Sequence, residues 1–170
     1  MIEVTGNLWE YPADVRVITT NGTVKRDGTC VMGRGCAAEA KTRWPALPKM
    51  LGESIMEHGN VVASFYMADD TLLLSFPVKH QWMENADPAL IMRSAMQLAD
   101  TVNDRSWKRI VMPRPGCGNG NLRWEDVEPI LEPILDSRFH VITFEASPRT
   151  QGGSESSRPF PEPWATPKRR

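Results

Sequence analysis

Residues 110–124, Ile-Val-Met-Pro-Arg-Pro-Gly-Cys-Gly-Asn-Gly-Asn-Leu-Arg-Trp, constrain this chain more than any other stretch. An apolar run (Ile110, Val111, Met112) stops at a loop holding Gly116, Gly118 and Gly120, and a helical pattern follows from Trp124 to Leu135. Strand, glycine loop and helix in that order set free backbone N–H groups beside a helix N-terminus, which suits a phosphate. Glycine is required because a Cβ keeps the backbone away from the anion. A second loop, Val31-Met32-Gly33-Arg34-Gly35-Cys36-Ala37-Ala38, also runs into a helical segment. Two such loops imply a diphosphate.

The 170 residues suffice for one domain with a sizeable core. A net charge of −1 excludes a chain that binds nucleic acid through overall positive charge, although a local basic patch remains open. Cys30, Cys36 and Cys117 form no C-x-x-C pair, which points to a reducing, cytoplasmic setting. No apolar run reaches the roughly 18 residues of a membrane span, and Met1 to Val4 reads as a strand rather than a signal peptide. His58 and His140 share no ligand spacing with any Cys or carboxylate, so neither metal nor cofactor is expected.

Strands are expected at 2–4, 15–20, 61–66, 71–77, 109–113 and 139–144, with a hairpin turn at Ala68-Asp69-Asp70 joining the third and fourth. Helices are expected at 35–44, 45–58, 88–102 and 124–135, the third with Leu90, Ile91, Ala95, Leu98 and Val102 on one face. This alternation gives an α/β fold, a mixed sheet between helical layers in α/β/α order, over residues 1–146. From Ser147 the composition turns to Ser, Gly, Pro and charge, and residues 147–170 read as a disordered tail in which Phe160 and Trp164 are either solvated or anchors for a partner.

Four segments together resemble the macrodomain family of ADP-ribose-binding modules. They are Gly6-Asn7-Leu8, Thr19-Thr20-Asn21-Gly22 with Met32-Gly33-Arg34-Gly35, Phe76-Pro77-Val78-Lys79-His80-Gln81-Trp82, and Pro113 to Trp124. The last two resemble the branch containing DNA ADP-ribosyl glycohydrolase antitoxins and glutamate–ADP-ribose hydrolases. The resemblance spans roughly residues 2–145. It implies a monomer that binds ADP-ribose, free or on DNA or protein, and hydrolyses the linkage. Lys79 is the implied catalytic residue, acting at C1″ of the distal ribose as a neutral amine or as a cation that stabilises developing charge. The implied ligand contacts are Asn7, Leu8, Asn21, Met32, Gly33, Arg34, Gly35, Pro115, Gly116, Cys117, Gly118, Asn119, Gly120, Asn121 and Phe144. Asn21 is assigned to the distal ribose and the glycines to the phosphates. Phe144 either stacks on adenine or packs in the core, Trp82 lines the cleft or caps the sheet, and Cys117 packs beneath its loop.

Two positions depart from the family. Its adenine-binding Asp is Asn7 here, which can still pair with the adenine edge but brings no charge. The second-loop Asp of the glutamate-specific relatives aligns with Gly120, which weighs against that route. Other functions share the same loops: a non-catalytic ADP-ribose reader, or hydrolysis of ADP-ribose 1″-phosphate. Cys117 and Arg123 also stand at the Cys-x5-Arg spacing of cysteine phosphatases, in which a thiolate attacks phosphorus and the arginine clamps its oxygens.

Overall fold

A computed structural model describes residues 1–144; the expected tail at 147–170, with Phe160 and Trp164, and the domain boundary at 146 lie outside them. Ten elements follow in chain order: β1 (Ile2–Thr5), β2 (Val15–Asn21), α1 (Gly35–Arg43), α2 (Leu47–His58), β3 (Ser64–Tyr66), β4 (Leu72–Lys79), α3 (Pro88–Asn103), β5 (Ile110–Pro113), α4 (Trp124–Leu131) and β6 (Phe139–Thr143). They form one six-stranded sheet in the order β1-β6-β5-β2-β4-β3. All pairings are parallel except the antiparallel edge pair β3–β4.

Parallel strands are covered on both faces, and β4 shows the consequence: every residue from Leu72 to Val78 is buried. Leu72, Leu74, Phe76 and Val78 join Val15 and Val17 of β2 in packing on Ile91, Ala95 and Leu98 of α3 and Val127 and Leu131 of α4. Leu73 and Ile18 pack instead on Ala37 and Ala40 of α1 and Leu47 and Leu51 of α2. The α/β/α layering is thus the period-two alternation of two central strands read against two helical layers. No described helix is long and apolar enough to cross a membrane.

Two expected boundaries shift markedly. The third strand begins at Ser64 rather than Val61, because the preceding N–H groups leave the ladder: Val62 donates to Gln97 Oε1 (3.1 Å) and Ala63 to Ser75 Oγ (3.0 Å). The helix from Trp124 ends at Leu131, since Pro133 has no N–H to give Pro129 and crowds Glu132. The polar segment after β2 is a tight excursion closed by a Val24–Cys30 bridge and pressed onto α2. A Cβ on Gly52 would lie 1.9 Å from Gly28 O, so only glycine permits that contact.

Candidate functional site

The chain reaches β4 on one side of β2 and then crosses to β5 on the other. That reversal opens a crevice at the strand C-terminal ends, where open α/β sheets seat their ligands. A cleft of about 1230 Å³ occupies it. Its floor and walls follow the strand order. Phe144 follows β6, the Gly116–Asn121 loop follows β5, the Met32–Gly35 loop lies between β2 and α1, and Lys79 ends β4.

The first wall is the start of α1. Its N-cap, Arg34, makes no side-chain cap and no acid stands in the first turn, so the opening N–H groups of Gly35, Cys36 and Ala37 are left for an anion. The contrast with α4 is informative. There Glu125 and Asp126 already occupy the first turn. Of the two helices that follow glycine loops, α1 is therefore the one open to a phosphate.

The second wall is the loop after β5, whose glycines divide into two kinds. A Cβ on Gly120 would meet Gly116 O at 2.5 Å and Ala86 Cβ at 2.7 Å, and one on Gly116 would meet Ile91 Cδ1 at 2.9 Å. These two glycines fold the loop onto itself. Gly118 and, across the cleft, Gly33 have nothing within 4 Å of a Cβ, so their backbones are open to an approaching group. The N–H groups of Gly118, Asn119 and Gly120 find no acceptor among the described residues.

Lys79 is placed by a bulge. Thr20 of β2 pairs with Pro77, but Asn21 pairs with Lys79, so Val78 is the extra residue. Pro77 cannot donate to the ladder, and a bulge at such a point re-aims the following side chain. The Lys79 amine donates to Asn119 O at 2.9 Å and lies 3.5 Å from Trp82 O.

Leu8, Asn21, Met32, Gly33, Arg34, Gly35, Lys79, Gly116, Cys117, Gly118, Asn119, Gly120, Asn121 and Phe144 all line this one cleft. Two residues of the implied set do not. Asn7 turns its Oδ1 back to accept the Trp9 N–H at 2.8 Å, and Pro115 is buried under the loop. Asn21 is engaged within the protein: it donates to Val31 O (2.9 Å) and accepts from the Thr23 N–H (3.0 Å). Phe144 is 65% exposed and so stands at the cleft mouth rather than in the core. Trp82 lines the cleft and is half-exposed. Thr23, Met83, Glu84 and Asn85 line it as well, and no periodicity or motif in the sequence marks them.

The cysteine phosphatase geometry is not formed. Arg123 turns away to Asp126, with Nε to Oδ2 at 3.1 Å, instead of cradling the loop. Burial pushes the Cys117 thiol up, whereas an attacking thiolate needs it low. Burial acts likewise on Cys36, and it pushes Cys30 up to about 12. Of the cations on the lining, Arg114 pairs with Glu3 and Arg123 with Asp126, which leaves Lys25, Arg34 and Lys79 against Glu39 and Glu84, so the cleft carries a small local excess of positive charge although the chain as a whole does not.

A mixed-sheet α/β/α domain with this cleft defines the class, and the chain has the fold of the macrodomains. No protein-family model matches it. The macrodomain of Mycobacterium tuberculosis DarG superposes with a TM-score of 0.69 at 25% identity, over 86% of this chain and 97% of that one. The Thermus aquaticus DarG macrodomain gives 0.68 at 25% identity, over 85% and 97%. Thermosipho africanus DarTG in complex with ADP-ribose shares the fold, with a TM-score of 0.70 at 16% identity over 85% of this chain and 42% of that one. Among curated proteins, the DNA ADP-ribosyl glycohydrolase of Thermus aquaticus is 26% identical over 98% of this chain and 46% of its own length. Its Mycobacterium tuberculosis counterpart is 27% identical over 58% and 30%. The chain thus spans less than half the length of these relatives.

Proposed function

We propose that this domain binds ADP-ribose and hydrolyses the bond joining it to a nucleobase or a protein side chain. One observation carries the reading: the linear order of the cleft along the strand ends. From β6 through β5 and β2 to β4 is three strand spacings, about 14 Å. Along that line stand an exposed aromatic ring, two opposed open glycine backbones and one strand-end lysine. An occupant threading these stations is elongated, with a stacking end, anionic groups in the middle and a reactive bond at Lys79.

In this reading Gly33, Gly118 and the opening N–H groups of α1 hold the diphosphate through backbone donors, and Phe144 covers the base. Lys79 acts at the anomeric carbon of the far ribose. Water replaces the attached group there, releasing ADP-ribose and the free base or side chain. The names of the curated relatives make ADP-ribosylated DNA the first substrate to try. Gly120 supports the same choice, because the packed loop has no room for a side chain at the position where the glutamate-specific relatives carry their Asp. The three free thiols fit a reducing, cytoplasmic compartment, and one chain carries the whole cleft.

Free ADP-ribose should bind in the micromolar range, about −7 to −9 kcal/mol. The deciding experiment sets wild type and Lys79→Ala against ADP-ribosylated DNA, ADP-ribosylated protein and ADP-ribose 1″-phosphate, with calorimetry alongside. Lys79→Ala should keep its affinity and lose about a hundredfold in turnover. Wild type that binds ADP-ribose but is inert on all three substrates is a reader, and release of phosphate alone assigns the third reaction.

A further inference from the structure

We propose that Thr23 is a positioning residue for Lys79, holding the chain where it leaves β4; this rests on the reading of Lys79 as the catalytic group. The ladder between β2 and β4 ends at the bulge, with Asn21 opposite Lys79. Beyond it, residues 21–23 continue to shadow residues 79–82. Gly22 N donates to Lys79 O at 3.2 Å, and Asn60 Nδ2 donates to the same carbonyl at 2.9 Å. The Thr23 hydroxyl then takes over from the backbone: it accepts the Trp82 N–H at 2.9 Å and donates to Gln81 Oε1 at 3.1 Å. One side chain thus grips two residues, two and three positions past the lysine. The carbonyl of that same Trp82 is the second polar group near the lysine amine.

Thr23 is itself immobilised. Its N–H donates to Asn21 Oδ1 at 3.0 Å, and its carbonyl accepts from Val31 N at 3.0 Å. The grip therefore connects the Lys79 loop to the root of the Met32–Gly35 wall. The far side of the 80–87 loop is secured without it. Ala86 N donates to Gly120 O (3.0 Å), Asn121 Nδ2 to Asn85 Oδ1 (2.8 Å), and His80 Nε2 pairs with Asp87 Oδ2 at 2.8 Å. Removing the Thr23 hydroxyl frees one edge of the loop and leaves the opposite edge, and the fold, in place. A lysine whose amine must meet one carbon tolerates little displacement, whereas a diphosphate held elsewhere by backbone donors does not sense it.

The test uses wild type, Thr23→Val and Thr23→Ser in the full chain. Thr23→Val keeps the shape and removes both hydrogen bonds. We expect its ADP-ribose Kd and its KM to stay near wild type while kcat falls about tenfold, the scale of one or two lost hydrogen bonds. Hydrogen exchange at the Trp82 amide should accelerate, and Thr23→Ser should restore both kcat and protection. Wild-type kcat in Thr23→Val, unchanged Trp82 exchange or failure of the serine rescue would overturn the assignment. An equal loss of affinity and turnover would make Thr23 a ligand contact instead and overturn it too. Wild type inert on every substrate would instead remove the Lys79 reading on which the proposal rests.

Discussion

Gly118→Val and Gly120→Ala should separate binding from folding within a single loop. At Gly118 a Cβ meets nothing within 4 Å, so valine enters without contact and the melting temperature should not move. The branched side chain then stands over the open backbone face proposed to seat a phosphate, and ADP-ribose affinity should fall at least tenfold. At Gly120 the positions reverse. Even a methyl group lies 2.5 Å from Gly116 O and 2.7 Å from Ala86 Cβ. Overpacking of that order costs about 1–3 kcal/mol. At roughly 2–4 °C per kcal/mol for a domain of this size, Gly120→Ala should melt about 2–12 °C lower. Thermal shift with and without ADP-ribose, together with calorimetry, reads both effects. Gly33→Glu is the electrostatic control, since that position is equally open and a carboxylate there repels the diphosphate. Gly35 is a poorer choice, because its φ of +59° strains any side chain and would confuse the two readouts. Normal ligand affinity in Gly118→Val would show that the open face of the loop seats no phosphate. Wild-type stability in Gly120→Ala would refute the packing argument.

Cys117→Ser should leave turnover and ADP-ribose affinity near wild type, because the thiol is raised by burial and faces no arginine clamp; a loss of activity greater than tenfold would reopen thiolate chemistry. Phe144→Ala should cost about fivefold in ADP-ribose affinity with no change in melting temperature, since an exposed ring contributes to the fold little and to a stacked base about 1 kcal/mol. Asp14 accepts the N–H groups of Lys108 and Arg109, which hold its carboxyl below the usual range. The folded state therefore favours the charged form, and the stabilisation is present above about pH 4 and lost as pH falls through the lower folded value. Asp14→Asn should lower the melting temperature at neutral pH and flatten its fall in acid. Burial and then the Arg109 charge hold His140 below its ordinary value, so the unfolded chain takes up a proton first as pH drops past about 6.5. Wild type should lose some stability from pH 7 to 5, and His140→Gln should lose that part of the slope.

What was legible in the sequence follows from how local its causes are. The apolar runs at 72–78 and 110–112 showed two parallel strands because burial on both faces leaves few polar positions to confuse the pattern, and 15–20 showed through its β-branched residues. The glycine loops were legible as loops, but not which glycines face a ligand. Gly116 and Gly120 differ from Gly118 through the loop's own fold, which sets Gly120 against Gly116 O, and through Ala86 and Ile91, residues far away in the chain. Asn7 shows the limit of reading by motif: it does not line the cleft, and its side chain accepts the Trp9 N–H two residues on. Thr23 was invisible, since its importance lies in a loop 58 and 59 residues distant and one threonine in a polar excursion gives no sign of it. The early end of α4 at Pro133 could have been read locally; helical periodicity simply outlasted the hydrogen bonds.

The site divides its work between two kinds of group, and that division decides which substitutions are informative. The proposed anion recognition uses main-chain donors at Gly33, Gly118 and the head of α1, which no side-chain deletion removes and only added bulk or charge can block. The proposed chemistry uses one side chain whose aim depends on Pro77 breaking the ladder and on Thr23 resuming it past the bulge. Deletions should therefore act on turnover and insertions on affinity. A mutant series read without that distinction would misassign the glycines as inert and the threonine as structural. The strand order places the proposed anion groups after β5 and β2 and the proposed catalytic lysine on β4, so they share a floor while keeping separate supports. That is why binding and catalysis should respond independently in one small cleft.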